Sequence, residues 1–143
     1  RDSVASRGLG DVYKRQYLGG LGIEIMANSD NVLRGGLTSK HIDIEELTAV
    51  VTFEPTEPHP AAGGEGQWLT GATDDFKLMP LTRTDTTVEL GGPAIALCVE
   101  GTYALSTQAG DSAILKTGES VFVPATDGNL NVRGDGKLFI ASV

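Results

Sequence analysis

The stretch AIALCVEGTYALSTQAGDSAILKTGESVFVP, residues 94–124, decides the fold. Short runs rich in Ile, Val, Leu and Phe follow one another, each bounded by Gly, Asp or Pro, with no helical period between them. Worked outward, the same pattern gives FKLMPL (76–81), TVEL (87–90), AIALCVEG (94–101), YALST (103–107), SAILK (112–116), SVFVPA (120–125), LNVR (130–133) and KLFIASV (137–143). Strands so spaced predict an antiparallel sandwich or barrel. Within AIALCV the large Ile95, Leu97 and Val99 alternate with the small Ala94, Ala96 and Cys98. One face is therefore expected to fill a core while the other packs closely on a neighbour. RGDGK (133–137) predicts a hairpin turn, because Asp-Gly supplies the positive φ angles that such turns need.

Upstream of the strands the pattern changes twice. EPTEPHPAAGGEG (54–66) is all Pro, Gly, Glu and small residues, so residues 54–75 read as a linker or loop. Before it, DIEELTAVV predicts a short helix. Asp43 can cap it with Glu46 three residues on, and Ile44, Leu47 and Val51 share one stripe. GLGIEIMAN (20–28) reads as a short strand with Ile23 and Ile25 on one face and Glu24 and Met26 on the other. NSDNVLRGGLTSK (28–40) is a turn-rich loop.

Size and charge bound the functions open to such a chain. With 143 residues there is room for one domain, or one domain and part of another, and for a real core. No apolar run nears the ~20 residues of a membrane-spanning helix, so the expectation is a soluble protein that does not enter a membrane. The net charge of −8 argues against a nucleic-acid surface or an anionic bilayer. Cys98 is the one cysteine, which excludes an internal disulfide and fits a reducing cytoplasm.

Residues 1–16, RDSVASRGLGDVYKRQ, have a different character: basic, polar and without periodicity. DVYKRQ is the translation of GAT GTG TAT AAG AGA CAG, the mosaic end of transposon-based sequencing libraries. SRGLG translates the primer site before it in the same frame. We expect residues 1–16 to be translated adapter. The other 127 residues then carry seven Lys or Arg and a net charge of −10, and two of those cations, Arg34 and Lys40, fall in one short motif.

That motif is the most informative part of the chain. Tyr17, Glu24, Asp30, Asn31, Arg34 and Lys40 crowd into two dozen positions. One account makes Asp30 and Asn31 turn formers, Arg34 and Lys40 solvated, and Glu24 an outer strand residue. Yet the polar residues outnumber what the turns require. YLGGLGIEIMANSDNVLRGGLTSKHID (17–43) closely resembles the second signature of the type I, zinc-dependent phosphomannose isomerases. It matches at Tyr17, Gly20, Ile23, Glu24, Met26, Ala27, Ser29, Asp30, Asn31, Leu33, Arg34, Gly36, Thr38 and Lys40. It departs mildly at Gly35 for Ala and Ser39 for Pro.

The resemblance covers 17–143 and implies a mainly β, cupin-like jelly-roll barrel at the C-terminal end. Residues 17–53 would be the C-terminal end of the preceding catalytic cupin domain, contributing a strand and a short helix. Residues 76–143 would be the metal-free barrel. The implied activity is the zinc-assisted interconversion of mannose 6-phosphate and fructose 6-phosphate through an enediol-like state. Arg34 would be the catalytic arginine and would also contact substrate. Glu24 and Tyr17 would line the pocket, Glu24 as a proton-transfer or positioning group. Lys40 would bind phosphate, and Asp30 and Asn31 would brace the loop that aims Arg34.

The resemblance also predicts what is missing. A zinc-ligand histidine belongs at position 15, where Arg15 stands, and the other ligands lie further upstream in the family. No metal site is therefore expected in these 143 residues, and none is expected of His41 or His59. GESVFVP (118–124) resembles the opening of the second cupin motif without its histidine. Trp68 is read as a packing anchor and Cys98 as a small core residue, not a nucleophile. The expected partners are a sugar phosphate and an absent N-terminal catalytic domain, and the chain alone is expected to be inactive. The alternative is a metal-free cupin that binds a sugar phosphate or only packs against another domain.

Overall fold

The computed structural model describes residues 19–26, 33–34, 39–51, 64–70 and 75–143. The chain divides into two compact units, Arg1–Pro60 and Ala61–Val143.

In the first unit the helix α1 spans Ile44–Val50. Asp43 is its N-cap: the Asp43 carboxylate accepts from the Glu46 backbone N–H at 2.9 Å, as the sequence pattern predicts. The far end is closed by the Val51 N–H, which donates to the Leu47 carbonyl at 3.0 Å. The anticipated stripe is only partly covered, with Leu47 and Val51 half-buried and Ile44 68% exposed. Residues 21–26 keep the expected alternation, with Ile23 and Ile25 half-buried and Glu24 and Met26 exposed. They are not a strand, however, because no ladder partner pairs with them among the described residues.

The second unit is a seven-stranded antiparallel sheet: β1 (Leu69–Thr70), β2 (Lys77–Leu81), β3 (Thr84–Val88), β4 (Ala94–Thr107), β5 (Ser112–Lys116), β6 (Ser120–Val123) and β7 (Leu130–Ser142). The sheet order is β1-β2-β7-β4-β5, with β3 also paired to β7 and β6 to β4. Long β7 lies against long β4 over their whole lengths, from Ala94↔Ser142 to Thr107↔Leu130. β2 and β3 take the two ends of β7's free edge. β6 and β5 take the two ends of β4's.

All four ribbons are interrupted at one level. Residues 82–83 separate β2 from β3, Gly136 faces Gly101 across β7 and β4, and residues 117–119 separate β5 from β6. Gly101 has φ +84 and Gly136 φ +127, and a Cβ on either would run into the backbone carbonyl of the other ribbon, Asp135 or Glu100. Only glycine allows two backbones to meet so closely in these conformations.

This level corrects two expectations. RGDGK is not a hairpin turn, because Gly134 to Lys137 stay in register with β4 throughout. LNVR with KLFIASV, and AIALCVEG with YALST, are likewise one long strand each. The glycines bend the strands without reversing them. A bulge between Cys98 and Glu100 adds one residue to β4 at the same level. It shifts the inward positions from 94, 96 and 98 to 103 and 105, so both halves of the strand keep a buried face.

The inner faces of both halves supply one core. Ala94, Ala96, Cys98, Tyr103, Leu105, Leu130, Val132, Leu138 and Ile140 are each no more than 4% exposed. The small side of AIALCV thus faces the core, and Ile95, Leu97 and Val99 face out. The reason is volume: β4 is a central strand, and Tyr103, Leu138, Ile140 and Met79 already fill the space before it. Residues 64–70 are held to this unit. The Gly66 N–H donates to the Pro80 carbonyl at 2.8 Å and Leu69 pairs with Leu78. A short strand therefore lies inside the stretch read as linker. Trp68 packs on the core under the Lys77 ammonium, 4.7 Å from its ring centre, which is the anchoring role expected of it.

Candidate functional site

Of the six residues that the sequence singles out, the structure describes three. Arg34 is half-buried beside half-buried Leu33, while Glu24 and Lys40 are exposed. Tyr17, Asp30 and Asn31 lie outside the described residues, as do residues 1–16 and His59. Partial burial of a guanidinium suits anion recognition, since an arginine keeps its charge and its planar set of donors when water is removed. The Glu24 carboxylate and the Lys40 ammonium lie at the solvent surface of the flanking segments, where a solute can reach them.

No group of three or more His, Cys, Asp or Glu side chains among the described residues is arranged to hold a metal ion. His41 is exposed. Cys98 is fully buried, with its thiol directed at the Glu100 and Gly101 carbonyls at 3.5 and 3.6 Å. Burial pushes that thiol above its ordinary value of 9.0, opposed by the bond to Glu100 and reinforced by Glu119. A thiol held protonated and out of water is a core residue and not a nucleophile.

The barrel unit holds one feature that no motif signals. An open trough of about 730 Å³ lies over β3, β7, β4 and β5, with Ala104, Ser106 and Ser112 among its lining residues and Asp85, Asn131 and Arg133 beside them. Register brings these residues together from four separate strands, Asp85 opposite Arg133 and Ser106 opposite Asn131 and Ser112. Their polar groups serve one another. Arg133 pairs with Asp85 at 3.6 Å, the Thr87 hydroxyl donates to Asn131 at 2.7 Å, and Asn131 donates to Ser106 at 3.5 Å. The polar groups of the trough thus pair with one another beside the apolar Ala104, Leu105, Ala113, Ile114 and Val132, with no buried unsatisfied side-chain atom among the described residues to recruit a ligand.

Tyr103 shows how the barrel handles a buried polar atom. Its ring is fully buried, and its hydroxyl donates to the Thr82 carbonyl and, more distantly, to that of Leu81 at 3.5 Å. Burial, with charges at Cys98, Asp135, Glu65 and Glu100 adding to it, pushes the phenol up to about 12. It stays a neutral donor.

No helix among the described residues is long and apolar enough to cross a membrane.

Comparison with known proteins agrees with the family that the sequence resembles. The sequence profile of the mannose-6-phosphate isomerase cupin domain matches residues 73–143. The mannose-6-phosphate isomerase of Salmonella typhimurium is 41% identical over 129 residues, covering 85% of this chain and 33% of its own length. Mannose-6-phosphate isomerase 1 of Arabidopsis thaliana is 34% identical over 136 residues, covering 89% of this chain and 31% of its own. Among solved structures, mannose 6-phosphate isomerase from Salmonella typhimurium bound to substrate and to a zinc atom superposes with TM-score 0.65 at 40% identity. That match covers 82% of this chain and 32% of that one. The chain spans about a third of the length of the curated relatives it matches. Shares of 82–89% are too large to fall within 73–143 alone, so the likeness runs on into the half that holds Arg34. Residues 73–143 thus belong to the mannose-6-phosphate isomerase cupin-domain family, and the segment before them is similar to the same isomerases.

Proposed function

We propose that the chain is the C-terminal third of a mannose-6-phosphate isomerase and brings Arg34 to the reaction that interconverts mannose 6-phosphate and fructose 6-phosphate. The observation that carries this reading is the 41% identity over 85% of the chain, a share large enough to take in Glu24, Arg34 and Lys40 as well as most of the barrel. A second observation supports the role of Arg34. Two solved Salmonella mutants replace a histidine and an arginine nineteen positions apart, which is also the interval from position 15 to Arg34. By that spacing Arg15 occupies a histidine's place, in keeping with residues 1–16 being adapter.

The isomerisation moves a proton between adjacent carbons, and negative charge gathers on the sugar oxygens as it leaves. Arg34, half-buried and permanently charged, stabilises that charge more strongly than a solvated cation would. Lys40 holds the phosphate as a compact point charge. Glu24 carries or positions the proton, with Tyr17 beside it in the pocket, and Asp30 and Asn31 brace the loop that presents Arg34. The described residues do not fit a zinc site, so no step here runs through the metal, and the 143 residues alone are inactive. A cytoplasmic location accords with the buried free thiol of Cys98.

The test joins the upstream two-thirds of the Salmonella enzyme to Tyr17–Val143 and follows mannose 6-phosphate turnover by a coupled dehydrogenase assay. The expected result is turnover by the hybrid, a loss of roughly 10²–10³ in kcat with Arg34→Ala, and none from the 143-residue chain. A folded, zinc-loaded hybrid without turnover, or an Arg34→Ala hybrid as active as its parent, contradicts the assignment.

A further inference from the structure

The compact barrel unit begins at Ala61, whereas its match to the family's cupin-domain profile begins at residue 73. Residues 64–70 fall between the two. They are fastened to the barrel yet precede the part that matches the family's domain. GEGQW (64–68) shows how the fastening is made. Glycines on both sides of Glu65 free the backbone, and Gly66 takes φ +74, which suits a residue without a Cβ. The Gly66 N–H meets the Pro80 carbonyl at 2.8 Å, and the Glu65 side chain reaches the corner between β2 and β3. There one carboxylate oxygen accepts from the Thr82 N–H at 3.1 Å and also from the Thr82 hydroxyl. Thr82 in turn offers its carbonyl to the hydroxyl of buried Tyr103. One threonine thus joins a surface carboxylate to the centre of the barrel.

Beyond that corner the hold is slight. β1 pairs with β2 over two residues, Leu69↔Leu78 and Thr70↔Lys77. Glu65, Gly66, Gln67 and Thr70 are exposed, Trp68 is half-buried, and of the seven only Leu69 is buried. Tyr103, Leu138 and Ile140, by contrast, are wholly enclosed. An element with few buried apolar contacts and exposed hydrogen bonds opens at lower cost than the core on which it rests. We propose that residues 64–70 are a releasable strap, latched by Glu65 on Thr82, which opens while the barrel stays folded. Closed, the strap seats Trp68 on the core and pairs the edge of β2, so the ordered unit begins at Gly64. Open, it frees that edge and lets the unit begin at β2. Release adds the seven residues 64–70, up to about 23 Å of extended chain, to what separates the barrel from the segment carrying Arg34.

Amide hydrogen exchange of the 143-residue chain across a urea series tests this. The Gly66 and Thr82 amides are expected to exchange through an opening that low urea hardly changes, because little surface is exposed. Those of β4 and β7 should exchange only through global unfolding, with its steep urea dependence. Glu65→Ala is expected to speed exchange at Gly66 and Thr82 at least tenfold and to shift Trp68 fluorescence toward that of a solvated indole, with β4 and β7 unchanged. Glu65→Gln, still an acceptor but neutral, should fall between Glu65→Ala and the wild type. Glu119→Gln alters another exposed carboxylate that accepts a backbone N–H, that of Lys116 at 2.8 Å, and should leave the strap as it was. Exchange at Gly66 with the urea dependence of β4 would overturn the proposal, as would a Glu65→Ala strap as protected as the wild type's. So would equal loss of protection in β4 and β7, since Glu65 would then hold the barrel as a whole. Should Glu65→Ala fold poorly, the urea series on the wild-type chain decides by itself.

Discussion

Replacing Tyr103 by Phe removes one oxygen from the centre of the barrel while keeping the ring that fills it. At neutral pH the loss is one buried hydrogen bond to the Thr82 carbonyl, a cost of about 1 kcal/mol. At alkaline pH the sign changes. The phenol titrates at about 12 in the folded chain against an ordinary value of 10.0. Because the folded value is raised, its stabilisation is complete below pH 10 and is lost between pH 10 and 12, as the unfolded chain ionises first. Two units at 1.36 kcal/mol each amount to roughly 3 kcal/mol over the full window. By pH 11 the wild type should have lost about 1.4 kcal/mol through this group, and Tyr103→Phe nothing. Urea unfolding followed by the fluorescence of Trp68 at pH 8, 10 and 11 measures both. The variant should be the weaker protein at pH 8 and should draw level with the wild type near pH 11. Two stability curves that stay parallel across that range would refute the reasoning.

Other substitutions probe the remaining joints. Gly136→Ala should cost about 1–3 kcal/mol in backbone strain alone and more from the collision with the Glu100 carbonyl. A melting temperature within a degree of wild type would show that the strands do not bend there as described. Gly134→Ala drives a methyl group into the Thr102 backbone carbonyl oxygen and the ring of Tyr103, at 2.5 Å from Cδ1, and should destabilise by about 1–3 kcal/mol; the Tyr103→Ala background should relieve only part of that cost, because the backbone collision stays. Cys98 should resist a soluble disulfide reagent at pH 8 until urea unfolds the barrel, so prompt labelling of native protein would contradict its burial. Asp43→Ala should cost α1 about 1 kcal/mol, seen as weaker helical NMR shifts over 44–50, with Asp43→Asn restoring most of it.

What could be read from the sequence follows from how local each signal is. The Asp43 cap and its three-residue reach to Glu46 depend on neighbours alone, so pattern and structure agree. The same holds for SAILK, which becomes β5 with the boundaries it was given. The signature from Tyr17 to Lys40 is an ordered match along the chain, and the likeness to relatives extends over it. The errors arose where a local signal had two meanings. Asp-Gly suits a two-residue hairpin loop, but a glycine is equally required where two strands cross too closely for a Cβ. Only the pairing of Gly136 with Gly101 distinguishes them.

The amino-acid order by itself carried the β-rich pattern, the helix cap and the resemblance to the family, because propensity, capping and motif identity are carried by residues near one another. The tertiary structure alone decided which face of AIALCV is inside. Alternation of large and small residues is symmetric until the volume left by Tyr103, Leu138 and Ile140 is known, and it is that volume which turns Ile95 and Leu97 outward. Phe122, Ile95 and Phe139 come from three strands far apart in sequence and become one apolar face only when register sets them side by side.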